Sequence, residues 1–296
     1  MPLADEGHDI AGRSVVLHAR HAPRTTVGMH RARLMTMLSH PYRIQFPAAN
    51  SEQLGQDEVV FSLIENGELR PLRFHDYEEI YARPGLYEEL FYERLKCTSP
   101  REVVELLRRA LGTVREPVNE LRVLDLGAGN GMMGDVLKKE GIARLVGVDI
   151  IPEARDAAFR DRPTVYDAYY VADLQEPDDE LVEELREWGF DCLTCVAALG
   201  FGDIPPRAFF NAMKLVRSDG WLAFNIKQSF LDHAEQTGFA RLVKELIFSK
   251  YLDIYHLELY RHRLSMEGKQ LFYYALVGRM TASIPDDFLE QYRIED

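Results

Sequence analysis

Short apolar runs alternate with amphipathic stretches from residue 121 to residue 226. Five runs have the pattern of strands, at residues 121–126, 145–149, 167–172, 190–196 and 220–226. The stretches between them have helical periodicity, near residues 131–140, 152–160, 178–188 and 206–216. Because the strands are almost continuously apolar, both faces of each must be covered, as in a parallel sheet between two layers of helices. The pattern predicts an α/β domain of alternating strands and helices.

Further elements flank this alternating core. Before it, residues 99–110 predict a helix in which Ser99 is the cap and Pro100 the first residue. After it come a predicted helix and two long predicted strands, at residues 234–248, 255–266 and 270–280. The residues from Ile284 onward are acidic, and we expect them to lie at the periphery.

The first 74 residues have a different pattern. Residues 1–50 have weak periodicity and carry six arginines but only three acidic residues. Residues 58–64 and 69–74 predict a hairpin, because the Asn-Gly pair between them favours a tight turn. Pro71 places the second strand at an edge, since proline cannot donate a backbone hydrogen bond. We therefore predict three parts, listed in order: a basic arm and hairpin (1–74), the main domain with an N-terminal lid (75–283), and an acidic tail (284–296).

The most informative stretch is Val123 to Gly131, which reads Val-Leu-Asp-Leu-Gly-Ala-Gly-Asn-Gly. A strand ends here in three glycines at alternate positions, and a helix follows. Glycine accepts positive φ angles and lets a ligand approach the backbone closely. Carboxylates also follow successive strands: Asp149 ends the second strand, where a ribose-binding acid is expected, and Asp173 follows the third. The pattern predicts a site for a nucleoside-containing ligand.

The identity of that ligand depends on two positions. The dinucleotide motif G-x-G-x-x-G would need a small residue at position 132, which is Met132. A diphosphate also disfavours a nearby acid, whereas Asp125 suits the ammonium group of an amino acid. A dehydrogenase is therefore the distant alternative to an enzyme that binds a cationic nucleoside.

On these residues the chain resembles the class I S-adenosylmethionine (SAM) methyltransferases, whose motif hh-[DE]-x-G-x-G-x-G matches Val123 to Gly131 at every position. The resemblance implies a Rossmann-like fold with a mostly parallel seven-stranded sheet that includes a terminal antiparallel strand. It also implies that SAM is the cofactor and S-adenosylhomocysteine the product, with Asp149 on the ribose and Asp173 on the adenine. The implied donor site comprises Asp125, Gly127, Ala128, Gly129, Asn130, Asp149, Ile150, Asp173, Leu174, Cys195, Tyr81 and Tyr87.

A second resemblance covers roughly residues 75–280. The stretches 198–210 and 220–232, together with Tyr260-Arg261-His262, are similar to the Williams–Beuren-region methyltransferase-like family. In such proteins a tyrosine-containing N-terminal segment folds over SAM, and Tyr81, Tyr87 and Tyr92 are the candidates here. A tyrosine ring can face the sulfonium by cation–π attraction. The alternative for each ring is that it only packs the lid onto the sheet.

Net charge and the length of the apolar runs limit the kinds of partner that this chain can bind. The 296-residue chain has a net charge of −13, which argues against a nucleic-acid substrate. No apolar run is long enough to span a bilayer, and the N-terminus lacks an apolar signal segment, so we expect a cytoplasmic protein without a membrane partner. The basic arm could dock on the acidic body of its own chain or, in a homodimer, on that of a second copy, or it could be disordered. We expect a partly ordered arm.

Cys192 and Cys195 form a C-x-x-C pair, but they lie in a predicted strand, where residues three apart point to opposite faces. We therefore interpret them as core or pocket-lining thiols and predict no metal site.

The acceptor site is harder to predict than the donor site. Methyl transfer from a sulfonium requires alignment and, for some acceptors, proton removal. The possible general bases are His233, His262 and Asp203, while Asn225 and Lys227 could orient an acceptor. Neither a [DNS]-P-P-[YFW] motif nor a Pro-Cys nucleophile follows the fourth strand, which disfavours nucleic-acid methylation. We predict O- or N-methylation of a small molecule. The alternatives are a protein methyltransferase and a SAM-binding regulator without catalysis.

Overall fold

The computed structural model describes residues 42–47, 59–65, 67–199, 203–228 and 238–295. The strands are β1 (Arg43–Gln45), β2 (Val60–Glu65), β3 (Glu68–Arg73), β4 (Arg122–Leu126), β5 (Arg144–Asp149), β6 (Ala168–Val171), β7 (Phe190–Cys195), β8 (Val216–Lys227), β9 (Leu252–Leu264) and β10 (Gln270–Met280). The helices are α1 (Tyr77–Tyr81), α2 (Ser99–Val114), α3 (Met132–Lys139), α4 (Pro152–Asp161), α5 (Asp179–Glu187), α6 (Pro206–Met213), α7 (Gly238–Phe248) and α8 (Phe288–Gln291). A π-helix at Glu88–Arg94 and a 3₁₀ turn at Val118–Glu120 complete these elements.

The central sheet has seven strands in the order β6-β5-β4-β7-β8-β10-β9. The first five of these strands are parallel, and β10 runs antiparallel between β8 and β9. This arrangement confirms the predicted α/β fold with a Rossmann-like, mostly parallel sheet and an antiparallel strand near its end. The residues assigned to the alternating strands and helices also agree with the prediction to within a few positions.

The side chains of each central strand alternate between two hydrophobic cores, one on each face of the sheet. Within β4, Val123 packs into the core on the α2 side of the sheet, and Leu124 packs into the core on the opposite side. Cys192 and Cys195 of β7 divide in the same way and are both fully buried. The interpretation of these thiols as core residues is therefore confirmed for the pair.

A topological switch point lies beside β4. The chain leaves β4 through α3 and returns as β5 on one side, whereas β7 pairs with β4 on the other side. The connections diverge at the carboxyl ends of these strands, which leaves a crevice there. The glycine-rich turn after Leu126 lies at this crevice.

The N-terminal strands form a separate three-stranded antiparallel sheet in the order β1-β2-β3. The predicted hairpin is confirmed, and Pro71 lies in the edge strand β3, opposite Ser62. The three-residue β1 was not predicted, because so short a strand has no periodicity to read. The small core under this sheet continues across position 74 into the lid, with the members Phe61, Leu63, Leu72, Phe74, Ile80, Leu86, Leu90 and Leu95.

Two local predictions were wrong. Helix α2 begins at Ser99, but the cap position is Thr98, and the Ser99 hydroxyl is buried 2.6 Å from Nδ1 of His262. The acidic segment from Ile284 onward is not peripheral, since Phe288 is fully buried and its ring stacks on Phe210 at 6.1 Å. Net charge misled this prediction because the few apolar residues of the segment all face inward.

Removing a central side chain should measure the strength of this core. Leu193 of β7 is 1% exposed, so we expect Leu193→Ala to lower the free energy of unfolding by about 2–5 kcal/mol. Leu69→Ala on β3, where the side chain is 63% exposed, is the control and should change it by less than about 0.5 kcal/mol. Urea titration followed by circular dichroism measures both values. Equal losses in the two variants would contradict the assignment of Leu193 to the core.

Candidate active site

A cleft of about 320 Å³ opens at the carboxyl ends of β4, β5, β6 and β7. Its volume lies at the lower end of the range typical of small-ligand sites. Among the lining residues are the predicted Gly127, Ala128, Gly129, Asn130, Asp149, Ile150, Asp173, Leu174, Tyr81 and Tyr87. Ten of the twelve predicted donor-site residues therefore line one cavity.

The glycine turn forms the floor of the cleft. The N–H of Gly127 donates to the carbonyl of Val148 at 2.9 Å, which ties the turn to β5. Gly129 has a φ of +54°, and a Cβ there would lie 2.6 Å from the Tyr81 hydroxyl. Both the backbone angle and the close ring explain why this position is glycine.

Asp149 joins the ends of two strands. One carboxylate oxygen accepts the N–H of Gly129 at 2.8 Å, and the other accepts the N–H of Ile151 at 3.0 Å. Burial raises the pKa of Asp149, although these N–H groups oppose the shift. The residue is 9% exposed and lines the cleft, so a ligand can reach it.

Asp125 lies behind the turn and is absent from the cleft lining. Its two oxygens accept hydrogen bonds from the hydroxyls of Tyr166 and Thr194, each at 2.7 Å. It is 1% exposed, and burial raises its pKa to about 6. The sequence pattern predicts Asp125 beside the ligand, because these two hydroxyls come from distant parts of the chain and are not visible in a short motif. The geometry favours a supporting role for Asp125 beneath the glycine turn.

Cys195 is the other predicted donor-site residue outside the cleft. It is fully buried in the core, and burial raises its thiol pKa well above the ordinary value. Cys195 is the last residue of β7 and lies just before the cavity. The next two residues, Val196 and Ala197, line it.

Asp173 lies at the opposite end of the cleft from the glycine turn. Its carboxylate accepts the backbone N–H of Gln175 at 2.8 Å, which shapes the loop after β6. Asn211 of α6 holds the same loop by donating to the carbonyls of Leu174 and Gln175. Asp173 is exposed, in contrast to Asp149.

Four tyrosines from the N-terminal segment form one wall of the cleft: Tyr77, Tyr81, Tyr87 and Tyr92. The rings of Tyr77 and Tyr81 are 5.9 Å apart and nearly parallel, and those of Tyr81 and Tyr87 are 5.1 Å apart. The sequence singled out three of these residues and missed Tyr77. The sequence does contain a sign of its role, because Tyr77 and Tyr81 are four residues apart and therefore share one helix face.

The predicted general bases have three different outcomes. Asp203 lines the cleft, and Nδ1 of His75 lies 3.1 Å from its carboxylate. His262 lies outside the cleft, where burial and the nearby Arg263 hold its pKa well below the ordinary value. His233 lies outside the described residues. His75 was not predicted, because it is 128 positions from Asp203 in the chain.

A second cavity of about 40 Å³ adjoins the cleft. Its lining includes His75, Cys97, His262, Arg263 and Tyr273. Five residues line both cavities and therefore mark where they meet: Tyr77, Tyr87, Ala197, Ala198 and Asp203.

Asn225 fixes the backbone at this junction. It is fully buried, and its side-chain oxygen accepts the N–H of Ala197 at 2.7 Å. Ala197 has a φ of +60°, a left-handed conformation that is costly outside glycine and is found often at functional sites. Tyr260 accepts a hydrogen bond from the Asn225 amide at 2.7 Å and orients it. Asn225 thus acts on the backbone rather than lining either cavity.

The family comparison agrees with this geometry. The model of the methyltransferase domain family matches residues 93–263, more than half of the chain. The chain belongs to this methyltransferase family. It is an enzyme whose methyl donor is SAM. A search of curated proteins found no match.

Three solved structures of other methyltransferases have folds similar to this one. One is the N-methyltransferase NodS from Bradyrhizobium japonicum WM9 in complex with S-adenosylhomocysteine, at 15% identity and a TM-score of 0.47, over 70% of this chain and 97% of that one. Another is magnesium protoporphyrin IX methyltransferase from Synechocystis PCC 6803 with bound SAM, at 12% identity and 0.43, over 61% and 79%. A third is the ribosomal protein L11 methylase from Lactobacillus delbrueckii subsp. bulgaricus, at 19% identity and 0.39, over 60% and 78%. Similarities this low indicate no substrate.

The described part of the methyltransferase contains neither a membrane-spanning helix nor a cluster of metal ligands. No helix there combines the length and the apolar character needed to cross a bilayer. No group of three or more histidine, cysteine or acidic side chains there is placed to hold a metal ion.

The buried Asp125 predicts a pH-dependent stability. Its pKa of about 6 exceeds the ordinary 3.8, so between these values the folded chain binds more protons than the unfolded chain. The contribution of Asp125 to the free energy of unfolding should therefore fall by about 2 kcal/mol as the pH rises from 4 to 6, and it should level off at higher pH. Asp125→Asn removes the titrating group and should remove that part of the slope. Urea titrations across this range test it, and identical slopes in the two proteins would contradict the raised pKa.

Proposed function

We propose that this methyltransferase transfers the methyl group of SAM to an oxygen or nitrogen of a small-molecule acceptor. The observation that carries the proposal is the size of the space beside the donor cleft. The adjoining cavity holds only about 40 Å³ and is bounded by both the N-terminal segment and the far end of the sheet. A cavity of this size suits part of a small molecule better than a polypeptide or nucleic-acid strand.

The residues of the cleft fit SAM in chemistry and in order. Asp149 offers carboxylate oxygens for the ribose hydroxyls at the end of β5, and Asp173 offers a carboxylate for the adenine amino group. The amino-acid portion would lie on the glycine turn, where Gly127, Gly129 and Asn130 line the cleft. The tyrosine wall supplies ring faces, which attract a sulfonium by roughly 1–2 kcal/mol when the pair is desolvated.

SAM, when bound, supplies an electrophilic methyl group on a good leaving group. The protein must therefore hold the acceptor in line and remove a proton where the acceptor carries one. Asp203 is the best-placed group for the proton, because it lines both cavities. His75 lies 3.1 Å from its carboxylate and would keep that carboxylate oriented. His262 fits this role less well, since it does not line the cleft.

Several finer predictions remain part of the proposal. Protein methylation would require a polypeptide segment to reach the small cavity, and a SAM-binding regulator would bind the donor without forming product. The Williams–Beuren-region resemblance fits the tyrosine wall but names no acceptor. The predicted homodimer depends on the N-terminal arm, most of which lies outside the described residues.

Asp149 provides the test of the donor site. We expect Asp149→Ala to weaken SAM binding at least 10- to 100-fold, since charge-assisted hydrogen bonds contribute about 1.5–3 kcal/mol each. Isothermal calorimetry measures the Kd. Asp149→Asn keeps the size of the side chain and one acceptor oxygen, so it should retain part of the affinity. This variant provides the test if Asp149→Ala does not fold. A wild-type protein that binds NAD and not SAM would refute the donor site.

Asp203 provides the test of proton removal. Asp203→Asn should lower kcat about 10²- to 10⁴-fold for an acceptor that must lose a proton, while changing the Kd for SAM far less. His75→Gln should lower kcat less, because it removes only the group that orients the carboxylate. The assay follows S-adenosylhomocysteine formation. An unchanged kcat in Asp203→Asn would exclude Asp203 as the base.

A further inference from the structure

A β-bulge in β9 turns two successive side chains toward the second cavity. Arg263 pairs with Leu271 of β10, and Arg261 pairs with the next residue, Phe272, so His262 is an extra residue on β9. In a regular strand His262 and Arg263 would point to opposite faces. Here both are 5% exposed and both line the second cavity. Bulges of this kind re-aim side chains beside active sites.

The outer edge of β9 is covered at the bulge. The carbonyl of Leu95 accepts the N–H of Leu264 at 2.7 Å, and the N–H of Thr98 donates to the carbonyl of His262 at 2.9 Å. The N-terminal segment therefore closes over the end of the strand, which is why Arg263 is buried although β9 is the last strand of the sheet.

Arg263 is a buried cation without a carboxylate partner among the described residues. Its guanidinium lies over the ring of Phe74 at 5.5 Å, and Nη1 donates to the carbonyl of Leu264 at 3.0 Å. A guanidinium has five N–H donors, and one backbone carbonyl satisfies only a part of them. A buried charge without a counter-charge is costly, which makes Arg263 a candidate for binding an anionic ligand.

The groups around Arg263 in the second cavity do not supply that counter-charge. Burial and the arginine hold the pKa of His262 well below its ordinary value, so the imidazole is neutral. Burial raises the pKa of Cys97, which keeps it a thiol. Burial and the nearby Arg263 both lower the pKa of Lys227, which adds positive charge to this region. Asp203 is the one carboxylate among the described residues that line this cavity, and it pairs with His75 at 3.1 Å and not with Arg263.

We propose that Arg263 binds an oxyanion of the methyl acceptor, a carboxylate or a phosphate, in the second cavity. The planar guanidinium matches both groups, because it can donate two parallel hydrogen bonds to them. A volume of about 40 Å³ holds about three water molecules, which suits one compact oxyanion. The rest of the acceptor then extends past Asp203 toward the cleft. This inference rests on the proposed small-molecule methyl transfer and defines its substrate class.

Binding of minimal probes tests the inference without turnover. Acetate, methyl phosphate and neutral acetamide are compared by saturation-transfer NMR, with the full chain both free and loaded with S-adenosylhomocysteine. We expect acetate or methyl phosphate to bind and acetamide not to bind, and the stronger of the two to identify the acceptor group. Arg263→Gln should weaken oxyanion binding roughly 10- to 100-fold, since hydrogen bonds to charged groups are the strong ones. Arg263→Lys should retain part of it.

Arg261→Gln is the matched control, because Arg261 is two residues away on the same strand and lines neither cavity. It should bind the probes as the wild-type protein does. Equal binding of acetate and acetamide by the wild type, or equal oxyanion binding by Arg263→Gln and wild type, would overturn the inference. The wild-type comparison decides the matter even if Arg263→Gln fails to fold.

SAM calorimetry on the same proteins separates this inference from the proposed function. If the wild type fails to bind SAM, the donor site is wrong whatever the probes do. If SAM binds normally and the oxyanion preference is absent, only the role of Arg263 is wrong. Once an acceptor is found, Arg263→Gln should raise its KM much more than it lowers kcat.

Discussion

The hydrogen bond from the Gly129 N–H to the Asp149 carboxylate is the contact on which the donor cleft depends. It ties the turn after β4 to the end of β5, and the second carboxylate oxygen fixes the first turn toward α4 through Ile151. The carboxylate of Asp149 thus fixes the glycine turn after β4 relative to the end of β5. The hydroxyl of Tyr169 adds a contact from below by donating to the Gly129 carbonyl at 2.8 Å. The cleft therefore has a preformed floor, and a ligand need not order the turn when it binds.

The sequence predicted the fold and most of the donor site because both depend on local patterns. Apolar runs of strand length, glycines at alternate positions and carboxylates at strand ends are each visible within a few residues. Asp125 shows the limit of this reasoning. Its neighbours Tyr166 and Thr194 are 41 and 69 positions away, so only the folded chain reveals that its oxygens are already engaged. Cys195 shows a second limit, since a shift of one residue separates the core from the cavity.

The acceptor side was far less predictable, and the reason is again physical. Its residues come from four distant segments: His75 before α1, Cys97 before α2, Asp203 before α6, and Arg263 in β9. No short motif contains them. The bulge at His262 also breaks the alternation from which the direction of each side chain is read. A regular strand would have placed either His262 or Arg263 on the opposite face, so the sequence pattern could not assign both to one cavity.

The tyrosine wall lies before the part of the chain that matches the methyltransferase family. The family match begins at residue 93, and the tyrosines precede it. Tyr87 packs against the core under the N-terminal sheet, whereas Tyr81 packs against Ala154 and Ala157 of α4. The matched part of the chain thus provides the floor of the donor cleft, and the segment before it provides the facing wall. A change in that leading segment would therefore reshape the wall that faces the donor, while the glycine turn and Asp149 would keep their places on the sheet.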